Sequence, residues 1–385
     1  MKSPTVGILG GGQLGLMLEE ALTKLQAEVL VLEPDPQAPA AARVKSVLAA
    51  PFEHASAVAE LFRRCDVVTY DSENIPVAGL LPHAPKLLPS LRVLETSQDR
   101  MREKSFLNEH GFRTVNWQPV PEGADLPTAV KAFGAPCIVK SARFGYDGKG
   151  QYFLRTEEEA APLPLAQPGG WVLEEPLQLR AELSCIVARD GKGGAFAFPV
   201  FENLHADHVL DITLLPARLE AKWLEEALNN AKAIAERLDA VGLLTVEFFL
   251  GTGRDGQEQL FINELAPRTH NSGHVTRQAC SFSQFDALAR ILTQVPLQAP
   301  TLHSGAWAMG NLLGEVWLAQ GSGGGALDLS AWRDFPDVVD VYLYGKREAR
   351  PKRKMGHFVV HGSSASGVLE RAKAFRAALA SSNLK

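Results

Sequence analysis

Residues 5–15 read TVGILGGGQLG, a short apolar run that breaks into glycines and resumes as the start of a helix. No other stretch constrains the fold as strongly. An apolar strand feeding the turn Gly10-Gly11-Gly12-Gln13-Leu14-Gly15 opens a parallel α/β unit and lets backbone approach an anion at a helix N-terminus. A helix is expected from Gln13 to about Gln26, then strands in EVLVLEP and DVVTY. Strands alternating with helices predict a first domain with a parallel α/β sheet, ending near Pro89–Thr96. Glu33, closing the second run, completes the outline of a dinucleotide site. A tight strand–helix turn with no ligand is the alternative.

The remaining length changes that reading. With 385 residues, two or three domains are expected. A net charge of −5 gives no global nucleic-acid footprint. No run approaches the ~20 apolar residues of a membrane helix. The N-terminal MKSPTVGILGGG lacks a signal-peptide layout. Cys65, Cys137, Cys185 and Cys280 are scattered without a C-x-x-C pair, which fits buried thiols in a reducing cytoplasm. The expectation is a cytoplasmic protein with neither nucleic-acid nor membrane partners.

Beyond residue 96 the pattern becomes α+β. Helices are expected from about Asp99 to His110 and over DLPTAVKAFG. Strands are expected in CIVKSAR, QYFLR, WVLEEP, AELSCIVARD and AFAFPVFEN, the last two joined as a hairpin across GKGG. Glu220 to about Asp239 carries one apolar stripe at helical spacing. LLTVEFFL and QLFINELAP are further strands. A third piece from about Pro300 holds a flexible GSGGG, the strand-like VVDVYLYG, a basic stretch and a helix from about Gly367 to Ala380. The expected division is 1–96, 97–299 and 300–385.

Four further constellations bear on chemistry. Lys140 ends an apolar strand and precedes FGYDGKGQ, whose glycines at 145, 148 and 150 suit a loop over phosphates. A decorated hairpin turn is the alternative. Glu247 in LTVEFFL and Glu264 in FINELAP are carboxylates on apolar strands, costly unless ion-paired or metal-bound. With Asn263 beside one of them they suit Mg²⁺, arginine pairing being the alternative. APRTHNSGH packs Arg268, His270, Asn271, Ser272 and His274 into one segment leaving that strand, and reads as a substrate loop. YGKREARPKRKMGH is a basic run that fits a solvated loop, a nucleic-acid patch or a phosphomonoester site equally well.

Taken in order, GGGQLG, YDSENIP, GYDGKGQ, INELAPRTHNSGH and YGKREARPKRKMGH resemble the 5-(carboxyamino)imidazole ribonucleotide synthetases of purine biosynthesis, within the ATP-grasp superfamily. The resemblance runs from Gly10 to His357. It implies a Rossmann-like pre-ATP-grasp domain, an ATP-grasp domain of two α+β lobes and a small C-terminal domain. It also implies carboxylation of aminoimidazole ribonucleotide with ATP and bicarbonate through carboxyphosphate, with Mg²⁺ as metal and a homodimer as assembly. By matching motif, ATP would meet Arg100, Lys140, Gly145, Tyr146, Asp147, Gly148, Lys149, Gly150, Gln151, Glu174, Glu175, Pro176, Leu177, Glu182, His205, Asn263 and Glu264. Glu247 and Glu264 would hold magnesium. The nucleotide substrate would meet Gln13, Leu14, Glu73, Tyr146, Asp147, Arg268, His270, Asn271 and Ser272, with its phosphate on Lys346, Arg353 and Lys354. Lys140 and Arg268 would assist the chemistry, and Asp147 is the candidate base, with His270 second. In such enzymes the first glycine loop lines the substrate pocket and binds no dinucleotide. The chain departs from the family's usual EFEN with DSEN (Asp71–Asn74), and has Phe144 where the family usually has glycine. Competing readings are a formate-dependent glycinamide ribonucleotide transformylase, a dinucleotide-dependent oxidoreductase and a non-catalytic nucleotide sensor.

Overall fold

Residues 3–145, 148–164 and 167–381 are described in a computed structural model, in which the strands form three sheets. The opening apolar run is the strand Thr5–Leu9. It lies parallel between Glu28–Leu32 and Val67–Tyr70, with a short strand, Ser46–Leu48, outside Glu28–Leu32. That fourth strand is three half-buried residues long, too short to show a period of two in the sequence. Leu9 is level with both Leu32 and Tyr70, so Gly10, Glu33 and Asp71 leave the carboxyl edge of the sheet together. Open α/β sheets build their ligand crevices at that edge. Helix Gln13–Lys24 follows at once, and its apolar face shares a core with helix Gln284–Leu292 of the middle region.

The second sheet is antiparallel, in the order Trp117–Val120, Trp171–Glu174, Cys137–Ser141 and Gln151–Leu154. Helix Leu126–Phe133 covers it and ends at Gly134, as the sequence predicts. The third sheet is larger and also antiparallel. Its order is Glu258–Ala266, Gly242–Thr252, Gln178–Arg189, Phe201–Ala206, Val209–Leu215, Ala306–Leu313, Lys354–Gly362 and Val338–Leu343. Ala195–Ala197 pairs back on Gln178–Arg189 as the predicted hairpin. Helix Ala221–Arg237 packs its alanine-rich stripe on this sheet, and helix Ala365–Ala380 covers the C-terminal strands. The strands after residue 300 therefore extend the sheet of the middle region directly. Among the described residues, no helix is long and apolar enough to cross a membrane.

His274 and His357 meet where the substrate-like loop crosses the C-terminal strands. Both are fully buried, with ring centroids 4.8 Å apart, and Tyr344 Oη lies 3.0 Å from His357 Nδ1. Burial holds both imidazoles below their ordinary range and the Arg277 charge adds to the effect, bringing His357 to about 3. The unfolded chain takes up a proton near pH 6.5 that the fold excludes, so stability is lost as pH falls below that value. At pH 5 the cost for His357 is about 2 kcal/mol. The loss in unfolding free energy between pH 7 and pH 5, measured by denaturant titration, is expected to shrink by about that amount in His357→Asn. An unchanged loss would show that the buried site admits the proton.

Candidate active site

One cavity of about 940 Å³ opens between the three sheets. Its floor begins with Lys140. Ile138 pairs with Glu174 and Lys140 with Val172, which sets Lys140 and Glu174 diagonally across neighbouring strands on one face. Lys140 Nζ lies 2.6 Å from Glu174 Oε2, and Lys104 Nζ lies 2.9 Å from Glu174 Oε1. Lys104 comes from helix Arg100–Glu109 and has no solvent exposure; Glu174 has 2 %. Burial alone would raise the Glu174 carboxyl, but the two ammoniums outweigh it and hold it at about 2. Burial pushes the Lys140 ammonium down and Glu174 opposes the shift. One carboxylate is thus shared by two lysines, which leaves a net positive charge at the cavity floor.

Glu247 and Glu264 stand directly opposite each other on Gly242–Thr252 and Glu258–Ala266. Arg100 Nη1 is 3.0 Å from Glu264 Oε2, and His270 Nε2 is 2.9 Å from Glu247 Oε1. Burial would raise Glu247, but its bond to His270 and the nearby His205 and Arg268 bring it to about 2. Lys140 Nζ also reaches Asn263 Oδ1 at 3.4 Å. Among the described residues, no group of three or more His, Cys, Asp or Glu side chains forms a metal cage. Two opposed carboxylates beside an amide oxygen nevertheless fit Mg²⁺, which completes its shell with phosphate oxygens and water.

The far wall is built by ion pairs between distant segments. Arg268 holds Glu73 through Nε and Nη2, the second contact being 3.0 Å. Burial would raise Glu73, but the Arg268 charge and hydrogen bonds lower it overall. His205 Nδ1 is 3.0 Å from Glu182 Oε2; burial lowers this imidazole, and the carboxylate more than reverses the shift. Lys346 Nζ donates to Gln13 Oε1 at 2.8 Å, tying the C-terminal region to the opening loop.

The opening glycines are already occupied. Gly11 N–H donates to Glu33 Oε2 (2.6 Å) and Gly12 N–H to Asp71 Oδ2 (2.8 Å). Gly10 has a φ of +103°, and a Cβ there would overlap the Asp71 carboxylate. The helix N-terminus that a pyrophosphate would use faces the chain's own carboxylates, which overturns the dinucleotide reading.

Most sequence-predicted residues converge on the cavity. Gln13, Leu14, Glu73, Arg100, Lys140, Gly145, Gly148, Lys149, Gly150, Gln151, Glu174, Glu175, Leu177, Glu182, His205, Glu247, Asn263, Glu264, Arg268, His270, Asn271 and Lys354 line it. Tyr146 and Asp147 lie outside the described residues. Pro176, Ser272, Lys346 and Arg353 are not in the wall. Ser272 is fully buried behind His270, Lys346 acts through Gln13, and Arg353 turns away to donate to the Glu348 carbonyl. The loop glycine Gly148 has φ +77°, and a Cβ there would lie 2.6 Å from His208 at the tip of the hairpin that enters the cavity. Sequence reasoning missed Lys104 and the apolar wall of Val115, Ile138, Leu179 and Phe249. Lys104 was detectable: Arg100, Glu103, Lys104 and Leu107 share a helical stripe, and charges on a core-facing stripe call for buried partners.

Three family models match the chain: the ribonucleotide synthetase preATP-grasp domain over residues 1–98, the ATP-grasp domain over 105–285 and the phosphoribosylaminoimidazole carboxylase C-terminal domain over 308–371. The N5-carboxyaminoimidazole ribonucleotide synthase of Brucella melitensis is 38 % identical over 363 residues, covering 92 % of this chain and 95 % of its own. The chain belongs to the N5-carboxyaminoimidazole ribonucleotide synthase family. Solved synthetases share its whole architecture. The Staphylococcus aureus synthetase complexed with ADP is 32 % identical, with a TM-score of 0.87 over 98 % of both chains. The Aspergillus clavatus synthase in complex with ADP and 5-aminoimidazole ribonucleotide is 28 % identical, with a TM-score of 0.84 over 98 % of both chains.

Two outcomes follow from this geometry. Lys104→Met removes one partner of a buried ion pair, and should cost about 3 kcal/mol in denaturant unfolding and weaken ADP binding measured by calorimetry. Native stability in that variant would show that Lys140 alone suffices for Glu174. NADH should neither bind fluorimetrically nor protect the chain from proteolysis, since the glycine N–H groups are taken.

Proposed function

We propose that this chain carboxylates 5-aminoimidazole ribonucleotide, using ATP and bicarbonate and releasing ADP and phosphate. The observation that carries the reading is a single cavity with two anion sites of different kind. One holds Lys140, ion-paired with Glu174, in the same cavity as the opposed carboxylates Glu247 and Glu264; the other carries Lys354 on the wall shared with Gln13. ATP places its base in the apolar slot of Val115, Ile138, Leu179 and Phe249, beside the Glu174–Leu177 hinge (Glu174, Glu175, Pro176 and Leu177). Its phosphates reach Lys140, Arg100 and the Gly145–Gln151 loop. Glu247, Glu264 and Asn263 would hold Mg²⁺, which would neutralise charge on the phosphate oxygens. The ribonucleotide lies against Gln13, Leu14, Glu73, Arg268, His270 and Asn271, its phosphate toward Lys354, with Lys346 acting behind Gln13.

Bicarbonate is a poor electrophile. Its oxygen attacks the γ-phosphorus, the bond to ADP breaks, and carboxyphosphate forms. Lys140 and Arg100 stabilise the charge that moves onto the phosphate oxygens. The exocyclic amine attacks the carbonyl carbon, phosphate leaves, and the amine's proton passes to a base. Asp147 is assigned that proton. His270 is the weaker candidate, because both ring nitrogens already have partners, Glu247 and Ser272. The Gly145–Gln151 loop keeps water from the mixed anhydride. We place the reaction in the cytoplasm, where four buried free thiols stay reduced, and in a homodimer, testable by light scattering.

The deciding experiment is phosphate release from MgATP with bicarbonate, with and without 5-aminoimidazole ribonucleotide, while carbon incorporation is followed. Strong stimulation with bicarbonate-dependent incorporation is expected. Stimulation by glycinamide ribonucleotide and formate instead would keep the ATP site and change the substrate. Asp147→Asn should retain ATP binding and lose at least about 100-fold in carboxylation; wild-type turnover would remove Asp147 from the mechanism.

A further inference from the structure

A row of polar side chains crosses the large sheet on its cavity face. Ser184 stands opposite Glu247 on the neighbouring strand, Glu264 stands opposite Glu247 on the other side, and Thr213 stands opposite Asn203. Ser184, Ser272 and Thr213 are fully buried and Asn203 is 6 % exposed, yet these residues are not part of the cavity wall. Each has a partner: Thr213 Oγ1 to Asn203 Oδ1 at 3.1 Å, Asn203 Nδ2 to Ser184 Oγ at 2.8 Å, Ser184 Oγ to Ser272 Oγ at 2.8 Å and Ser272 Oγ to His270 Nδ1 at 2.8 Å. His270 Nε2 then meets Glu247.

The direction of this chain follows from its end. An ionised carboxylate only accepts, so His270 Nε2 carries a hydrogen toward Glu247. Nδ1 is then free to accept from the Ser272 hydroxyl. Ser272 Oγ accepts from Ser184, and Ser184 Oγ accepts from the Asn203 amide. The Asn203 amide is oriented with Oδ1 toward the Thr213 hydroxyl, which donates to it, and Nδ2 toward Ser184. With these orientations each hydroxyl of the row has an acceptor, and the Asn203 amide donates to Ser184. If the ring hydrogen sat on Nδ1 instead, Ser272 would turn its hydroxyl toward Ser184, and the Ser184 hydroxyl would lose its acceptor in a buried site.

We propose that Ser184 is a positioning residue that, through Ser272, holds the His270 ring in its Nε2–H tautomer facing Glu247. The inference rests on the proposed carboxylation only for its kinetic readout. Long-range ¹H–¹⁵N spectra of the full-length protein, with the His270 signal assigned by His270→Asn, test it directly. The wild type should show an acceptor-type Nδ1 and a hydrogen-bearing Nε2. Ser184→Ala should show a mixed tautomer population, with kcat down about tenfold and KM for ATP unchanged. Ser184→Thr, which keeps a hydroxyl, should recover the wild-type spectrum. A hydrogen on Nδ1 in the wild type would overturn the proposal, whether or not the variants fold. So would a wild-type spectrum in Ser184→Ala. A wild type with the expected spectrum but no ribonucleotide-dependent turnover would sink the carboxylation reading and leave the relay standing.

Discussion

The Glu73–Arg268 ion pair is the contact on which the cavity depends. Its partners are 195 residues apart, one in the loop leaving the parallel sheet and the other at the end of the strand that carries Glu264. Both are largely buried, so each charge tolerates its place only because the other is there. The pair fixes how the Rossmann-like unit faces the large sheet. The helix core shared by Gln13–Lys24 and Gln284–Leu292 and the Lys346–Gln13 bond act in the same sense. Remove one partner of the pair and the other is left as an unpaired, largely buried charge in the cavity wall.

The same rule governs the cavity floor. Arg100, Lys140 and Arg268 each hold a carboxylate of the chain itself. These pairs keep the polar framework in position before any phosphate arrives. In the proposed reaction a transferring phosphoryl group would meet dipoles and charges that need little reorganisation, which is where electrostatic catalysis gains most. Lys104 makes this possible for Lys140. With two lysines on Glu174, the carboxylate cannot cancel the charge of the lysine that faces the cavity.

Much of this was legible in the residues because local preference and tertiary environment agree. The opening strand, the Ala221–Arg237 helix and the Gln178–Arg189 hairpin carry patterns that a folded neighbour reinforces. Ala306–Leu313 reads AWAMGNLL, without a β-branched residue, and no local signal marks it as a strand. It is one because it lies between Val209–Leu215 and Lys354–Gly362, which bury it on both sides. The strand Lys354–Gly362 was hidden in turn by the basic run that leads into it. In the cavity, charged motif residues were visible, whereas Val115, Ile138 and Phe249 look like any core residue until the lobes come together. Ser184 was invisible for a related reason: its proposed role exists only through Ser272, a partner distant in sequence.

The opening loop shows why a motif must be read with its surroundings. The glycines do what the G-x-G-x-x-G spacing requires: they turn tightly and present N–H groups at a helix N-terminus. What differs is the anion. Glu33 follows the strand Glu28–Leu32 and Asp71 the strand Val67–Tyr70, and the common carboxyl edge of the parallel strands brings both to that N-terminus. Burial raises the Asp71 carboxyl to about 6, opposed by the Gly12 N–H and increased by the Glu33 charge. The dipole of the helix and the two backbone donors therefore stabilise side chains that belong to the fold. A site that could capture a dinucleotide has become an internal fastening, and the freed crevice next to it, walled by Gln13 and Leu14, is available to a different ligand.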